Sequence, residues 1–370
     1  MYLDNAATTR LTPEVKEYII SLLDNYYNPS SVYQNGSDVR QIINKSRENV
    51  AKFINAKPNN IIFTSSGSAS NTLAIQGFLR RNNYTMLYSP IAHKSIIKCS
   101  ESIRNAYPLK VDNYGNIDFY DLREWLDSYS DKFFVVIDYA NSEIGTIQEV
   151  KTLINLVHFY NGVVYLDCTG SISQIQVDVK QLGADMLGFS AHKLGALKGC
   201  GVLYKKENID LEPLVYGAQE DGYFSGTENV LGIASLGKAI ENYDYSSISS
   251  ENRDYVYNRL TETIPNCCLV GAQFGNRLPH NLYMCFKGVQ GESLMALLDI
   301  HGIQVSTGSA CSSGNPQPSY TLLAIGVKQE DIHSCIRLTF SGQETKRELD
   351  TVCRVIKDCV TTLRKFNESE

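Results

Sequence analysis

Apolar and polar positions along the first two thirds of the chain follow two rhythms. Val39, Ile42, Ile43, Val50, Phe53 and Ile54 recur at helical spacing, which predicts a helix over roughly 36–55. Short apolar runs at Ile61–Phe63, Phe133–Ile137, Val163–Leu166, Met186–Phe189 and Gly201–Tyr204 read as buried strands. Helical patterns, roughly 69–80 and 149–160, lie between them. Alternation of this kind predicts an α/β fold with a mainly parallel sheet. The texture changes after about residue 245, where Ser246-Ser247-Ile248-Ser249-Ser250 forms a polar break. Beyond it come a helix at about 251–263, scattered short strands and a closing helix at about 344–365, which predict a smaller α+β domain.

Composition narrows the class. The 370 residues are 43% hydrophobic and 20% charged, which fits a globular chain and excludes a disordered or fibrous one. A net charge of −6 without basic runs argues against direct nucleic-acid binding. No apolar stretch reaches the ~20 residues of a membrane span, so no membrane association is expected. Met1-Tyr2-Leu3-Asp4 has neither a basic nor an apolar leader region, which makes the cytoplasm the expected location. Ten irregularly spaced cysteines suit a reducing compartment, and no CxxC or HExxH spacing points to a metal.

Ligands of parallel α/β sheets bind beyond the carboxyl ends of the strands, so polar residues there carry the candidate chemistry. Thr64-Ser65-Ser66-Gly67-Ser68-Ala69-Ser70-Asn71 joins a strand to a helix and could cradle a phosphate on backbone N–H groups, or be only a serine cap with a tight turn. Asp167 ends the strand Val163–Leu166, where a carboxylate can hold a protonated ring nitrogen or simply cap the next turn. Lys193, in Ser190-Ala191-His192-Lys193, could form a Schiff base with a carbonyl cofactor if desolvated, or be a solvated loop lysine. Anion cradle, ring-nitrogen carboxylate and Schiff-base amine together are the groups that pyridoxal phosphate requires. In the second domain, Cys311 sits in the Gly- and Ser-rich stretch Ser306–Pro316, as an accessible nucleophile or an incidental surface thiol. The other nine thiols read as core-packed.

The chain resembles pyridoxal-phosphate cysteine desulfurases of the NifS/IscS type, within the class V aminotransferase family. The resemblance runs nearly end to end: Tyr2-Leu3-Asp4-Asn5-Ala6-Ala7-Thr8-Thr9, Asn28-Pro29-Ser30-Ser31, Ser142-Glu143-Ile144-Gly145-Thr146, Ser190-Ala191-His192-Lys193, Ser225-Gly226-Thr227-Glu228-Asn229 and Gly308-Ser309-Ala310-Cys311-Ser312-Ser313-Gly314. It implies the pyridoxal-phosphate-dependent transferase fold type I. The large domain (15–250) would hold a mainly parallel sheet of the seven-stranded type. The small domain (1–14 and 251–370) would carry the catalytic cysteine loop at about 306–318.

The resemblance also assigns roles. Lys193 would hold the cofactor covalently, His93 would stack on its ring and Asp167 would pair with the ring nitrogen. Ser68, Ser190 and His192 would bind the phosphate, with Thr227 reaching it from a second subunit of a homodimer. Arg337 would bind the carboxylate of the substrate L-cysteine, near Ser142. Cys311 would take the substrate sulfur as a persulfide, leaving L-alanine, and pass it to an acceptor protein. That acceptor could serve iron–sulfur cluster assembly, tRNA thiolation or DNA modification. Several positions depart from the family pattern: Tyr33, Ala69, Ala92, Ser142, Gly170 and Phe224. A selenocysteine lyase, a class V aminotransferase and a partner-binding scaffold without turnover are the rival readings.

Overall fold

The computed structural model describes residues 1–128, 132–308 and 318–367. Cys311 lies outside the described residues. Among the described residues ten strands form two sheets. The larger contains β1 (Ile61–Thr64), β2 (Thr85–Tyr88), β3 (Ala106–Pro108), β4 (Phe133–Asp138), β5 (Val163–Asp167), β6 (Met186–Ser190) and β7 (Gly201–Lys205). Their spatial order is β1-β7-β6-β5-β4-β2-β3. Neighbours from β6 to β3 run parallel, and β7 is antiparallel to both β6 and β1. The carboxyl ends of β1, β2, β4, β5 and β6 therefore emerge along one edge.

β4 is buried at all six positions, as expected for a strand covered on both faces. Its register against β5 sets Asp138 directly beside Asp167, so both carboxyls point to the same face. The Ile61–Phe63 and Val163–Leu166 patterns thus mark real strands. β2 and β3 lie outside the predicted strands: β2 carries only Met86 and Leu87 as an apolar run, and Pro108 closes the three-residue β3. The helix expected over about 69–80 runs from Gly67 to Arg81 and contains a π turn over Leu73–Gly77. Ser66 caps it by accepting from Ala69 N at 3.1 Å.

The second sheet has the order β10-β9-β8, from β8 (Cys267–Leu269), β9 (Asn281–Phe286) and β10 (Cys335–Thr339), all antiparallel. The helices Glu251–Thr263 and Lys346–Asn367 bury Leu260, Val352, Ile356 and Val360 in its cluster. The N-terminal segment joins this sheet: Tyr2 bridges Gln304, Asp4 bridges Thr339, and Leu3 is fully buried in the same cluster. One expectation about the thiols is corrected here. Cys268 is exposed and Cys267 half-buried, on the edge strand β8, where successive side chains point to opposite faces of the sheet. No helix among the described residues is long and apolar enough to cross a membrane.

Candidate active site

The shared strand-end edge opens into a cavity of about 470 Å³, lined by residues of both sheets. Its floor is a hydrogen-bonded chain. Asp167, buried at the end of β5, accepts from Thr169 N at 2.8 Å through Oδ1 and from Asn71 Nδ2 at 2.9 Å through Oδ2. Asn71 also donates to Ser95 Oγ at 2.9 Å, and its own oxygen accepts from the Tyr165 hydroxyl. Ser95 Oγ is 2.8 Å from His93 Nδ1, and Ser95 N donates to that same nitrogen at 3.2 Å. Nδ1 is thus an acceptor, which leaves the proton of the neutral ring on Nε2. His93 caps the helix Lys94–Ser100, so its backbone is fixed as well.

Lys193 ends the short 3₁₀ turn that follows β6. Its Nζ donates to the Ala7 carbonyl at 2.9 Å and to the Ala6 carbonyl. Burial, then the nearby Arg337 charge, pulls its amine from 10.5 down to about 8, against the opposing pull of Asp4 and Asp167. A substantial neutral fraction near pH 8 is what a nucleophilic or proton-abstracting lysine needs. Burial, with Lys193 and Lys198, pushes His192 down to about 4, so it stays neutral at physiological pH. Its Nδ1 lies 3.1 Å from Thr8 Oγ1.

Arg337, on β10, forms the opposite wall. Nη1 donates to the Ser142 carbonyl at 2.9 Å and Nη2 to Asp4 Oδ1 at 2.7 Å, while Nε is buried without a partner among the described residues. Ser142 therefore meets Arg337 through its backbone. The structure brings Ser68, His93, Ser142, Asp167, Ser190, His192, Lys193 and Arg337 onto one cavity. Thr227 is exposed and does not line it.

Sequence reasoning missed four residues here. Asn71 enters the sequence reading only as the end of the Thr64–Asn71 segment and Thr169 does not enter it, although a buried Asn inside a helix signals a polar network. Asp138, at the end of β4, lines the cavity beside Asp167 and is 5% exposed. Glu143 was noted only as part of a motif. Gly170 is also more than a lost side chain: a Cβ there would lie 2.6 Å from the Ala140 carbonyl oxygen, so a longer residue requires the backbone to move.

The cavity suits a phosphorylated pyridine aldehyde. The Thr169 hydroxyl is shielded from solvent and unpartnered among the described residues, close to Gly67 at the head of the Gly67–Arg81 helix. A Cβ on Gly67 would meet Thr169 Oγ1 at 3.0 Å and Ser190 Cβ at 3.3 Å, so the space there is a shallow cradle rimmed by hydroxyls. A carboxylate for a ring nitrogen and an amine for a carbonyl lie across the same floor.

The aminotransferase class-V family model matches residues 1–352, and the chain belongs to that family. Within it, the chain is 37% identical to the cysteine desulfurase IscS of Dictyoglomus turgidum, over 99% of this chain and 96% of the relative. The NifS-like protein from Rickettsia africae has the same fold, with a TM-score of 0.90 and 29% identity over 98% of this chain and 99% of that one. The structure of SspA in complex with cysteine aligns with a TM-score of 0.81 and 26% identity over 93% and 99% of the two chains.

Proposed function

We propose that the chain is a pyridoxal-phosphate-dependent cysteine desulfurase that converts L-cysteine to L-alanine and carries the sulfur away as a persulfide on Cys311. One observation carries the reading: a half-buried lysine with a depressed amine, a buried carboxylate and a buried arginine converge on one cavity, in a chain similar throughout to cysteine desulfurases. Ser68, Ser190, His192 and the Thr169 hydroxyl would hold the phosphate end. Asp167 would hold the ring nitrogen, His93 would cover the ring and Lys193 would hold the carbonyl carbon. When bound, the cofactor supplies an electrophilic carbonyl and an electron sink for the substrate's α-carbon.

The protein's own groups do the rest. The two Nη atoms of Arg337 fix the substrate carboxylate and with it the orientation of the Cα–H bond. Neutral Lys193 Nζ takes the α-proton and returns it. Neutral His192 adds no charge beside Lys193, so the amine is set by burial, Arg337, Asp4 and Asp167. The Cys311 thiolate attacks the substrate sulfur; the carbon–sulfur bond breaks, its electron pair returns toward carbon, and alanine leaves after protonation. Asn71 holds Asp167 and, through Ser95, His93 in one orientation.

The exposed position of Thr227 supports a homodimer in which it serves the neighbouring subunit's phosphate site. The contacts of Tyr2, Leu3 and Asp4 support a division into a large domain (15–250) and a small one (1–14 with 251–370). An acceptor protein takes the persulfide sulfur, in the cytoplasm. The test is alanine and sulfide release from L-cysteine, with added pyridoxal phosphate and a thiol reductant. Equimolar products from the native protein, lost in both Lys193→Ala and Cys311→Ala, are the expected result. No turnover by protein that binds the cofactor would reject the reading.

A further inference from the structure

The turn that follows β4 reaches across to the small sheet. Asn141 fixes it: Oδ1 accepts from Glu143 N at 2.9 Å and Ile144 N at 3.0 Å, while Nδ2 donates to the Ile91 carbonyl at 2.6 Å. Asn281, on β9, donates to the Glu143 carbonyl at 3.2 Å. The side chain of Glu143 is thereby carried into the space between residues 308 and 318, where it is 8% exposed. Its Oε1 accepts from Ser319 Oγ at 2.6 Å and lies 3.0 Å from the Tyr283 hydroxyl. That hydroxyl is also 3.0 Å from the Thr307 carbonyl. Gly308 packs directly on the same carboxylate. A Cβ at Gly308, whose φ is +83°, would lie 2.6 Å from Glu143 Cγ.

One buried carboxylate thus touches both stems that flank residues 309–317. The first stem is tied in further where Ser306 exchanges backbone hydrogen bonds with Arg337, at 3.1 and 2.6 Å. The second is tied where Ser319 Oγ accepts from Leu322 N at 3.3 Å and Tyr320 donates to the Ala92 carbonyl at 2.8 Å. The donors to Glu143 are neutral hydroxyls. A carboxylate kept away from water needs them, since burying a charge without hydrogen bonds is costly. Removing the carboxylate takes one contact from both stems at once, whereas removing Ser319 Oγ takes one only from the second.

We propose that Glu143 is a positioning residue for Cys311: it pins residues 307–308 and Ser319 to the β4 turn, and so sets where the cysteine-bearing segment leaves and re-enters the wall that holds Arg337. The proposal rests on the desulfurase reading only in taking Cys311 as the sulfur-accepting thiol. It predicts a particular division of effects, because Glu143 has no assigned contact with the cofactor end of the cavity.

The experiment compares Glu143→Ala, Glu143→Gln and Ser319→Ala with the native holoenzyme. Three quantities are read: bound-cofactor absorbance, kcat and KM for L-cysteine, and the rate at which iodoacetamide alkylates Cys311, followed by peptide mass spectrometry. Glu143→Ala should keep the cofactor band and hold KM within about threefold. It should lose about tenfold or more in kcat and change the alkylation rate at least about threefold. Glu143→Gln should recover most of both losses, because its amide oxygen still accepts from Ser319. Ser319→Ala should show a smaller version of the Glu143→Ala pattern, and combining the two changes should add little. Native alkylation rates and native kcat in Glu143→Ala would overturn the proposal. So would a kcat loss with unchanged alkylation, or one that Glu143→Gln fails to recover. If the native protein makes no alanine, the desulfurase reading fails, and the alkylation comparison still decides whether Glu143 holds the stems.

Discussion

The floor and the far wall of the cavity are built on different principles. The floor comes from consecutive strand ends: Asp167 closes β5, Ser190 closes β6, and Lys193 follows three residues later. Each is set by the sheet register, and each lies beside a pattern that announces a strand. The far wall is assembled from residues remote in sequence. Arg337 meets Asp4 and Ser142, and Glu143 meets Ser319 and Tyr283. The floor supplies groups whose chemistry depends on burial, and the wall supplies groups whose value depends on position. Variants of the floor should therefore change chemical steps, and variants of the wall should change binding or alignment.

Lys193→Ala should break the floor most completely. With the amine that moves the α-proton removed, alanine formation should fall by about a thousandfold or more. Amino-acid analysis of the product measures it. Arg337→Ala should act mainly on the wall's function. It should raise KM for L-cysteine by about ten- to a hundredfold, with a smaller loss in kcat, as expected when a charged hydrogen-bonding partner of a carboxylate is removed. A larger effect on kcat than on KM would mean that the wall also does chemistry, and the contrast would fail.

The third prediction tests the link between the two regions. Burial lowers the Lys193 amine to about 8, and Arg337 lowers it further while Asp4 and Asp167 raise it. Trapping Lys193 in the cofactor-free protein with a small aldehyde and a hydride reductant should therefore show half-maximal rate near pH 8. Arg337→Met removes a repelling charge, so the midpoint should move up. Asp4→Asn removes an attracting one, so the midpoint should move down. Equal midpoints in all three proteins would mean that the wall does not influence the floor.

This division also explains what could be read from the sequence. The floor was legible because a strand pattern followed at once by Asp, or by Ser-Ala-His-Lys, places a polar group at a known end of a parallel sheet. Arg337 could be assigned only through family resemblance: Cys335-Ile336-Arg337-Leu338 reads by itself as an ordinary strand, and its partner Asp4 lies at the other end of the chain. Thr169 and Glu143 were hidden because their roles arise from contacts across a turn. Asp138 was hidden for another reason. It follows the Phe133–Ile137 pattern as Asp167 follows Val163–Leu166, and only the β4–β5 register shows that the two carboxyls stand side by side.

Asp138 yields the smallest effect and the finest test of the floor. Burial raises its pKa from the usual 3.8, and the neighbouring Asp167 adds to the rise; Ser89, its own backbone and Asn141 oppose it. A carboxyl whose folded pKa is raised contributes stability below its unfolded value and loses it as pH climbs through the folded value. The folded protein is therefore penalised at neutral pH by having to ionise this group or keep it protonated. Asp138→Asn has nearly the same shape and no charge, so it should raise the melting temperature of the cofactor-free protein by about 1–2 °C at neutral pH. The gain should shrink as the buffer is taken down through and below 3.8, where the wild-type carboxyl becomes protonated in both states. A scanning-calorimetry series across that range measures it. If Asp138→Asn melts lower than wild type at neutral pH, the carboxyl is making a favourable contact there, and the two acidic residues of the floor act as a pair instead of Asp167 acting alone.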